Sequence, residues 1–434
     1  MKGFFAFFNF SSLIFSFENI LPLNGSNRVF RRFYGGGQKA SMFHWGSRLA
    51  WSTIFSLAAF MASAQISSDS LDGRVNAINT AVPFLRISPD ARSGAMGDAG
   101  VALSPDANAV FWNLSKLPFA KEDAALSLNY TPWLKELVND VFLATVSGYK
   151  KLDEYQAIGA SLRYFDIGNV QLTDYAGVSQ GNFHPREFAI DGGYARKLSE
   201  NWSVGLALRY IYSNLASGTS LDGSNATYRP GQSVAGDISA YYTQEVDYDN
   251  DQHGGLSAGL AITNVGTKIS YTNNNDKDFI PTNMDIGAAY THHIDDYNKI
   301  TFAFDVNKLL VPTPDTTDRN GNGLPDYREK TVVQGIFQSF GDAPGGFKEE
   351  LHELMYSFGL EYWYNDVFAV RAGYFNEHKS KGNRKYLTLG LGLKYNTLGF
   401  NFSYLVPSGA GIQRNPLSNT LRFSLLLDLG KQDD

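Results

Sequence analysis

The sequence predicts an all-β fold, a fourteen-stranded antiparallel transmembrane barrel with an N-terminal plug segment, and three observations carry that reading. From Ala124 to the end, apolar and small or polar residues alternate with a period of two in short segments. The links between segments alternate in length, short then long, as periplasmic turns and extracellular loops do in outer-membrane barrels. Just before them, Ala91 to Leu117 is rich in glycine and small residues (Gly94, Gly97, Gly100, Ala95, Ala99), which suits a segment packed inside something larger.

In chain order, residues 1–64 read as a signal peptide region. Arg48 precedes the apolar run Leu49 to Phe60, and the small residues of Met61-Ala-Ser-Ala64 place a cut before Gln65. The stretch before Met42 is rich in Phe and lacks domain-like patterning, so it reads as an over-long start with Met42 as the true one. Residues 65–123 form an arm and plug: polar at Ser67, Ser68, Asp69 and Ser70, apolar at Val82-Pro-Phe-Leu85, then the glycine-rich stretch with Trp112 and Asn113.

Residues 124–434 are the barrel. In Thr420 to Leu429, Leu421, Phe423, Leu425, Leu427 and Leu429 share one face and Arg422, Ser424 and Asp428 the other, with Leu426 the exception. Trp202, Val204, Leu206, Leu208, Tyr210 and Tyr212 alternate in the same way with Ser203, Gly205, Ala207 and Arg209. Leu387 to Tyr395, Tyr356 to Tyr364 and Ile300 to Asn307 repeat the split. A soluble sandwich would hide the apolar face under a second sheet. Here the other face is Gly, Ser, Thr and single charges, which suits a polar or plugged interior.

The segments are 124–130, 139–149, 155–165, 186–197, 202–213, 231–243, 254–263, 283–292, 299–309, 354–364, 367–375, 386–395, 398–406 and 420–429. An even count suits a single-chain bacterial barrel, and most lengths are near the roughly 9–11 residues needed to cross at a tilt. Of the short links, only 244–253 is long for its place. Both termini are then expected in the periplasm.

Composition agrees. Tyr (24), Phe (31) and Gly (42) are abundant while mean hydropathy is −0.23, as in strands that alternate and carry aromatic girdles. With no cysteine there is no disulfide, thiolate metal site or thiol nucleophile. A net charge of −6 gives no electrostatic reason to expect nucleic acid.

The stretch A-R-S-G-A-M-G-D-A-G-V-A-L-S-P-D-A-N-A-V-F-W-N-L-S-K-L, with Asp106, Ala107, Trp112 and Asn113 in place, resembles the N-terminal signature of FadL-like outer-membrane barrels. Together with Ala81 to Arg92 and Leu128 to Leu134 it is similar to the PorV family of the type IX secretion system of Bacteroidetes. One departure stands out: the commonest signature ends Asn-Pro-Ala, whereas Asn113 is followed by Leu114-Ser115. The resemblance implies a non-enzymatic outer-membrane carrier. Such a carrier binds the C-terminal signal domain of secreted proteins at the translocon pore protein and passes them to the surface sortase. FadL-like uptake of hydrophobic small molecules is the alternative, and it requires a continuous apolar pocket beside the plug.

Several motifs remain. Asp318, Asn320, Asn322, the Leu324 carbonyl, Asp326 and Glu329, with Gly323 at the sixth position, reproduce calcium-loop spacing. A calcium-pinned loop and a solvated Asp/Asn/Gly turn are both open. Val332, Val333, Ile336, Phe337 and Phe340 share a helical face, and Lys348 to Leu354 can form a second helix; the apolar face is either a lid or a partner surface. Trp133, Phe183, Phe337 and Phe340 are the expected partner contacts. Gly255-Leu-Ser257-Ala-Gly259 matches G-x-S-x-G, but Ser257 lies mid-strand and not at a strand-to-helix elbow, so a lumen-facing role is expected. His292-His293 and Asp247, Asp249 and Asp251 read as solvated strand ends and turns.

Overall fold

The computed structural model describes residues 77–135, 138–173, 179–215, 228–248, 252–272, 277–406 and 419–430. The signal region, the turn at Asp249 and Asp251 and the side chain of Asp247 lie outside the described residues. Among those described, no helix is long and apolar enough to cross a membrane.

Sixteen strands form in chain order, β1 (Ala124–Pro132), β2 (Phe142–Lys151), β3 (Gln156–Asp166), β4 (Val170–Thr173), β5 (Ser179–Phe183), β6 (Arg186–Lys197), β7 (Trp202–Asn214) and β8 (Gly231–Tyr248) making the first half. The second half is β9 (Gln252–Gly266), β10 (Asn283–His293), β11 (Asn298–Leu309), β12 (Met355–Tyr364), β13 (Phe368–Asn376), β14 (Lys385–Tyr395), β15 (Leu398–Val406) and β16 (Leu421–Leu429). All but β4 and β5 join one closed antiparallel barrel, which is therefore 14-stranded. It closes by pairing β1 with β16, from Ala124 opposite Leu429 to Tyr130 opposite Phe423.

The alternation works as the period of two requires. Leu206 and Leu208 point outward at 61% and 71% exposure, while Arg209 between the same neighbours is 3% exposed in the lumen. In β16, Arg422 and Ser424 are buried inside and Leu425 faces out. Stacked and tilted aromatics, Tyr130–Phe142–Tyr164 and Phe188–Tyr212 toward the long loops and Trp202–Tyr242 toward the short turns, gather at the two rims.

Two stretches differ from expectation. The link 244–253 is mostly strand, because β8 and β9 keep pairing from Gln244 opposite Leu256 to Tyr248 opposite Gln252, which restores a short turn at that end. The loop 166–185 contains its own two-stranded hairpin, β4 with β5, made from short runs that bury too little to join the barrel.

Inside the barrel a mostly irregular plug is punctuated by a 3-10 turn (Pro83–Arg86), α1 (Ala91–Gly94), α2 (Ala109–Trp112) and a second 3-10 turn (Leu114–Phe119). It starts at the long-loop end and finishes at the short-turn end, folding back on itself between. Ala81 donates its N–H to the Phe279 carbonyl at the long-loop end (2.9 Å), whereas Lys151 at the short-turn end donates to Asp123 just after the plug (2.7 Å). The described chain thus starts at the long-loop end; the N-terminal residues for which a periplasmic place is expected lie outside the described residues. Val82, Phe84 and Leu85 pack with Val141, Phe165 and Ile280 at the long-loop mouth, so apolar burial fixes this end there.

Candidate functional site

The plug is held by groups that face it from nearly every strand. Asp90 caps α1, accepting from Ser93 N (2.8 Å), and its other oxygen accepts from Trp112 Nε1 (2.7 Å), folding the plug on itself. Arg92 makes a fork to Glu361 (Nε 3.0 Å, Nη2 2.9 Å), and Arg371 reaches the same carboxylate at 2.6 Å. Asp305 accepts from the Gly100 and Val101 amides at 2.6 and 3.0 Å. Asn113 donates to the carbonyls of Val101 (3.0 Å) and Ala240 (3.1 Å).

The plug glycines have specific reasons. Gly97 has φ +70° and its backbone lies on β13, where a Cβ would come within 2.6 Å of Tyr374 N. A side chain on Gly100 would run into the Trp112 indole, and one on Gly94 into the Arg422 guanidinium. Ser257 donates to the Ala102 carbonyl at 2.8 Å, so this hydroxyl anchors the plug and sits at no nucleophile elbow.

The space left beside the plug is small and polar. A cavity of about 80 Å³ is lined by Arg86, Asp98, Arg163, Asp285, Asp305 and Arg384 among others, far below the roughly 300–1,000 Å³ of an apolar ligand pocket. A wider vestibule of about 860 Å³ opens at the short-turn end, but plug residues Arg92, Pro105 and Phe119 form part of its wall. Its rim is charged, with Lys394 bridging Glu122 and Asp428.

The outer loop between β11 and β12 carries α3 (Asp326–Glu329), α4 (Val332–Gln338) and α5 (Phe347–His352). Thr331 and Gln334 form a capping box that starts α4. The helix sits on the barrel through Gly335, whose Cβ would lie 3.0 Å from both the Phe279 ring and Pro312. Val333, Phe337 and Phe340 consequently point away from the mouth, at 62%, 74% and 50% exposure. Buried charge braces the loop from beneath: Lys308 Nζ donates to Glu353 at 2.6 Å, and Lys381 reaches Glu349 (2.6 Å) and Glu353 (3.0 Å). Among groups in this loop, Asp342 is pushed above the usual carboxylate range by burial, against the Thr313 amide and Lys330.

Of the expected partner contacts, Phe337 is the more exposed, Phe340 is half-exposed with the Lys308 ammonium 5.9 Å from its ring, Trp133 is half-buried against the cluster at the long-loop mouth, and Phe183 is half-buried on the β4–β5 hairpin. Sequence reasoning missed Phe347 and Leu351, exposed at 78% and 46% on α5. Their i, i+4 spacing after Gly345-Gly346 was the available signal.

The candidate calcium loop has its ligand positions drawn together. Asp318 accepts from Gly321 N (2.8 Å) and Gly323 N (2.9 Å), and Gly323 takes φ +84°. Asn320 and Asn322 both donate their amides to Glu329, and α3 starts at Asp326 as an exiting helix would. Rotating the two amides would turn their oxygens toward the same centre. Among the described residues no three acidic or histidine side chains converge on one point, since two of the ligand positions are Asn.

Solved structures of similar architecture include the CymD monoaromatic hydrocarbon channel, 13% identical over 79% of this chain and 98% of that one, with a TM-score of 0.44. The Pseudomonas putida toluene transporter TodX is 11% identical (81% and 98% covered, TM-score 0.42). The Ralstonia pickettii toluene transporter TbuX is 12% identical (82% and 98% covered, TM-score 0.41). No curated protein matches the chain. The family described as type IX secretion system protein PorV matches residues 69–316, more than half the chain. The chain belongs to the PorV family of type IX secretion system proteins and is an outer-membrane β-barrel.

Proposed function

We propose that this barrel is a non-enzymatic carrier that binds the C-terminal signal domains of secreted proteins on its outer loops. It takes them at the translocon pore protein and passes them to the surface sortase. The observation that carries the reading is the outward apolar face of α4 and α5: Val333, Phe337 and Phe347 are exposed on a loop that is itself rigidly braced. A preformed apolar surface rimmed by charge is what a protein partner needs, because little ordering is left to oppose binding.

FadL-like uptake gains no support from the lumen. The cavity beside the plug is polar and about 80 Å³, where a continuous apolar pocket was required.

Replacing Phe337 and Phe347 together with Ser should leave the barrel folded and lower capture of a purified signal domain at least tenfold, by about 1.4 kcal/mol or more. Unchanged capture would sink the reading. Calcium is proposed for the Asp318–Glu329 loop, where it would fix the orientation of α3 beside α4. Two Asn ligands make affinity weak, about 10⁻⁴–10⁻³ M. Millimolar calcium should slow protease cleavage of this loop in the parent and not in Glu329→Gln; equal cleavage with and without calcium counts against it.

A further inference from the structure

The described chain starts at the long-loop mouth. Ala81 bonds to Phe279 on the loop between β9 and β10, and Val82 takes a left-handed conformation (φ 47°) that turns the chain inward. Phe84 is fully buried, stacked on Phe165 at 6.2 Å, and Arg163 donates to the Leu85 carbonyl at 3.2 Å. From there the plug winds to Asp123 at the short-turn end, returning toward the long-loop end where Asp98 meets Tyr386. The lumen beside it is occupied: Met96 and Gly97 press on Gly359 and Gly373 so closely that neither wall glycine has room for a Cβ.

We infer that the N-terminal arm enters this barrel from the outer face, so that residues 77–80 belong to the extracellular surface. Asn79, the exposed residue of that stretch, is then reachable from outside the cell. The arm is also joined to the proposed docking platform, since the Phe279 that holds Ala81 is the residue on which Gly335 of α4 rests. A partner seated on α4 therefore meets a surface built from segments far apart in the sequence. The consequence for assembly is definite. An exported chain arrives from the periplasm, so the arm reaches the outer face only if the plug is laid in place while the strands close around it.

The inference rests on long loops facing outward, and the absence of cysteine makes both points testable in one experiment. Single cysteines at Asn79, at Arg319 in the outer loop and at Glu200 in a short turn are exposed to a membrane-impermeant sulfonated maleimide on intact cells, then after permeabilisation. Heat-modifiable gel mobility confirms that each variant is folded. Asn79→Cys and Arg319→Cys should label on intact cells, and Glu200→Cys only after permeabilisation. If Asn79→Cys labels only after permeabilisation, or not at all, while Arg319→Cys labels on intact cells, the inference fails and the orientation stands. If Glu200→Cys labels on intact cells and Arg319→Cys does not, the orientation itself is wrong and the inference falls with it.

Discussion

The plug segment Met96–Val101 and the outer helices α4 and α5 are both braced by buried charge, yet they do opposite things with their surfaces. In the plug, Glu361, Asp305 and Asn113 close every face against the wall, and the apolar residues Met96, Val101 and Leu103 are buried. On the outer loop, Lys308, Lys381, Glu349 and Glu353 lie beneath the helices, and Val333, Phe337 and Phe347 are left facing water. The same kind of polar bracing seals one region and presents the other. The plug keeps its apolar side chains inside, and the outer helices leave theirs exposed.

The largest expected effect is on the seal. Glu361 is 1% exposed and faces two guanidiniums, Arg92 and Arg371, so Glu361→Gln leaves two buried positive charges with Asp106, 3.3 Å from Arg92, as their remaining ion-pair partner. A cost of about 3–5 kcal/mol is expected, read as a fall in the temperature at which the folded gel band is lost. Asp305→Ala should cost less, about 1–3 kcal/mol, since it strands two backbone donors, Gly100 and Val101, and breaks no direct ion pair. If both variants melt like the parent, the plug is not fixed by these contacts. The contrast between the two regions would then lose its physical basis. On the other side, Phe337→Ser alone should shift stability by no more than about 0.5 kcal/mol, because the residue is already 74% exposed.

Much of this was legible before the fold was known. The period of two separated Leu206 and Leu208 from Arg209 correctly, because a strand between lipid and an enclosed interior leaves no other choice of face. The small residues of the plug marked close packing, and Gly97 and Gly100 do lie where a Cβ would meet backbone or indole. The direction of the plug was not legible: nothing local in Val82-Pro-Phe-Leu85 says which mouth it packs in, since its partners Val141, Phe165 and Ile280 are distant in sequence. The same holds for α4, whose apolar spacing fitted a lid or a docking face equally. Gly335, close to Pro312 and Phe279, shows only which side of the helix is seated and which is exposed.

The smallest effect concerns how α5 meets the rest of the outer surface. His352 on α5 stacks on His378 in the loop between β13 and β14, with ring centroids 3.5 Å apart and planes within 9°. Both imidazoles are held below the usual histidine range. Partial burial is the main cause, followed by Lys348 for His352 and by His352 itself for His378, with Lys379 and Lys381 adding to both and Glu349 opposing at His352. A depressed folded-state value means the neutral pair is the stable one. Its contribution is therefore present above the ordinary histidine range near 6.5 and is lost as pH falls through the lowered value. Titration of the ring C–H resonances should give midpoints below about 6.5 for both, and His378→Ala should move the His352 midpoint upward by removing its stacked neighbour. A His352 midpoint that ignores that substitution would mean the stack does not form. The α5 face would then be tied down by Lys381, Lys308 and the bonds of Ala343 and Thr313 to Glu350 and Glu353, leaving the outer surface braced from beneath without the stack at its edge.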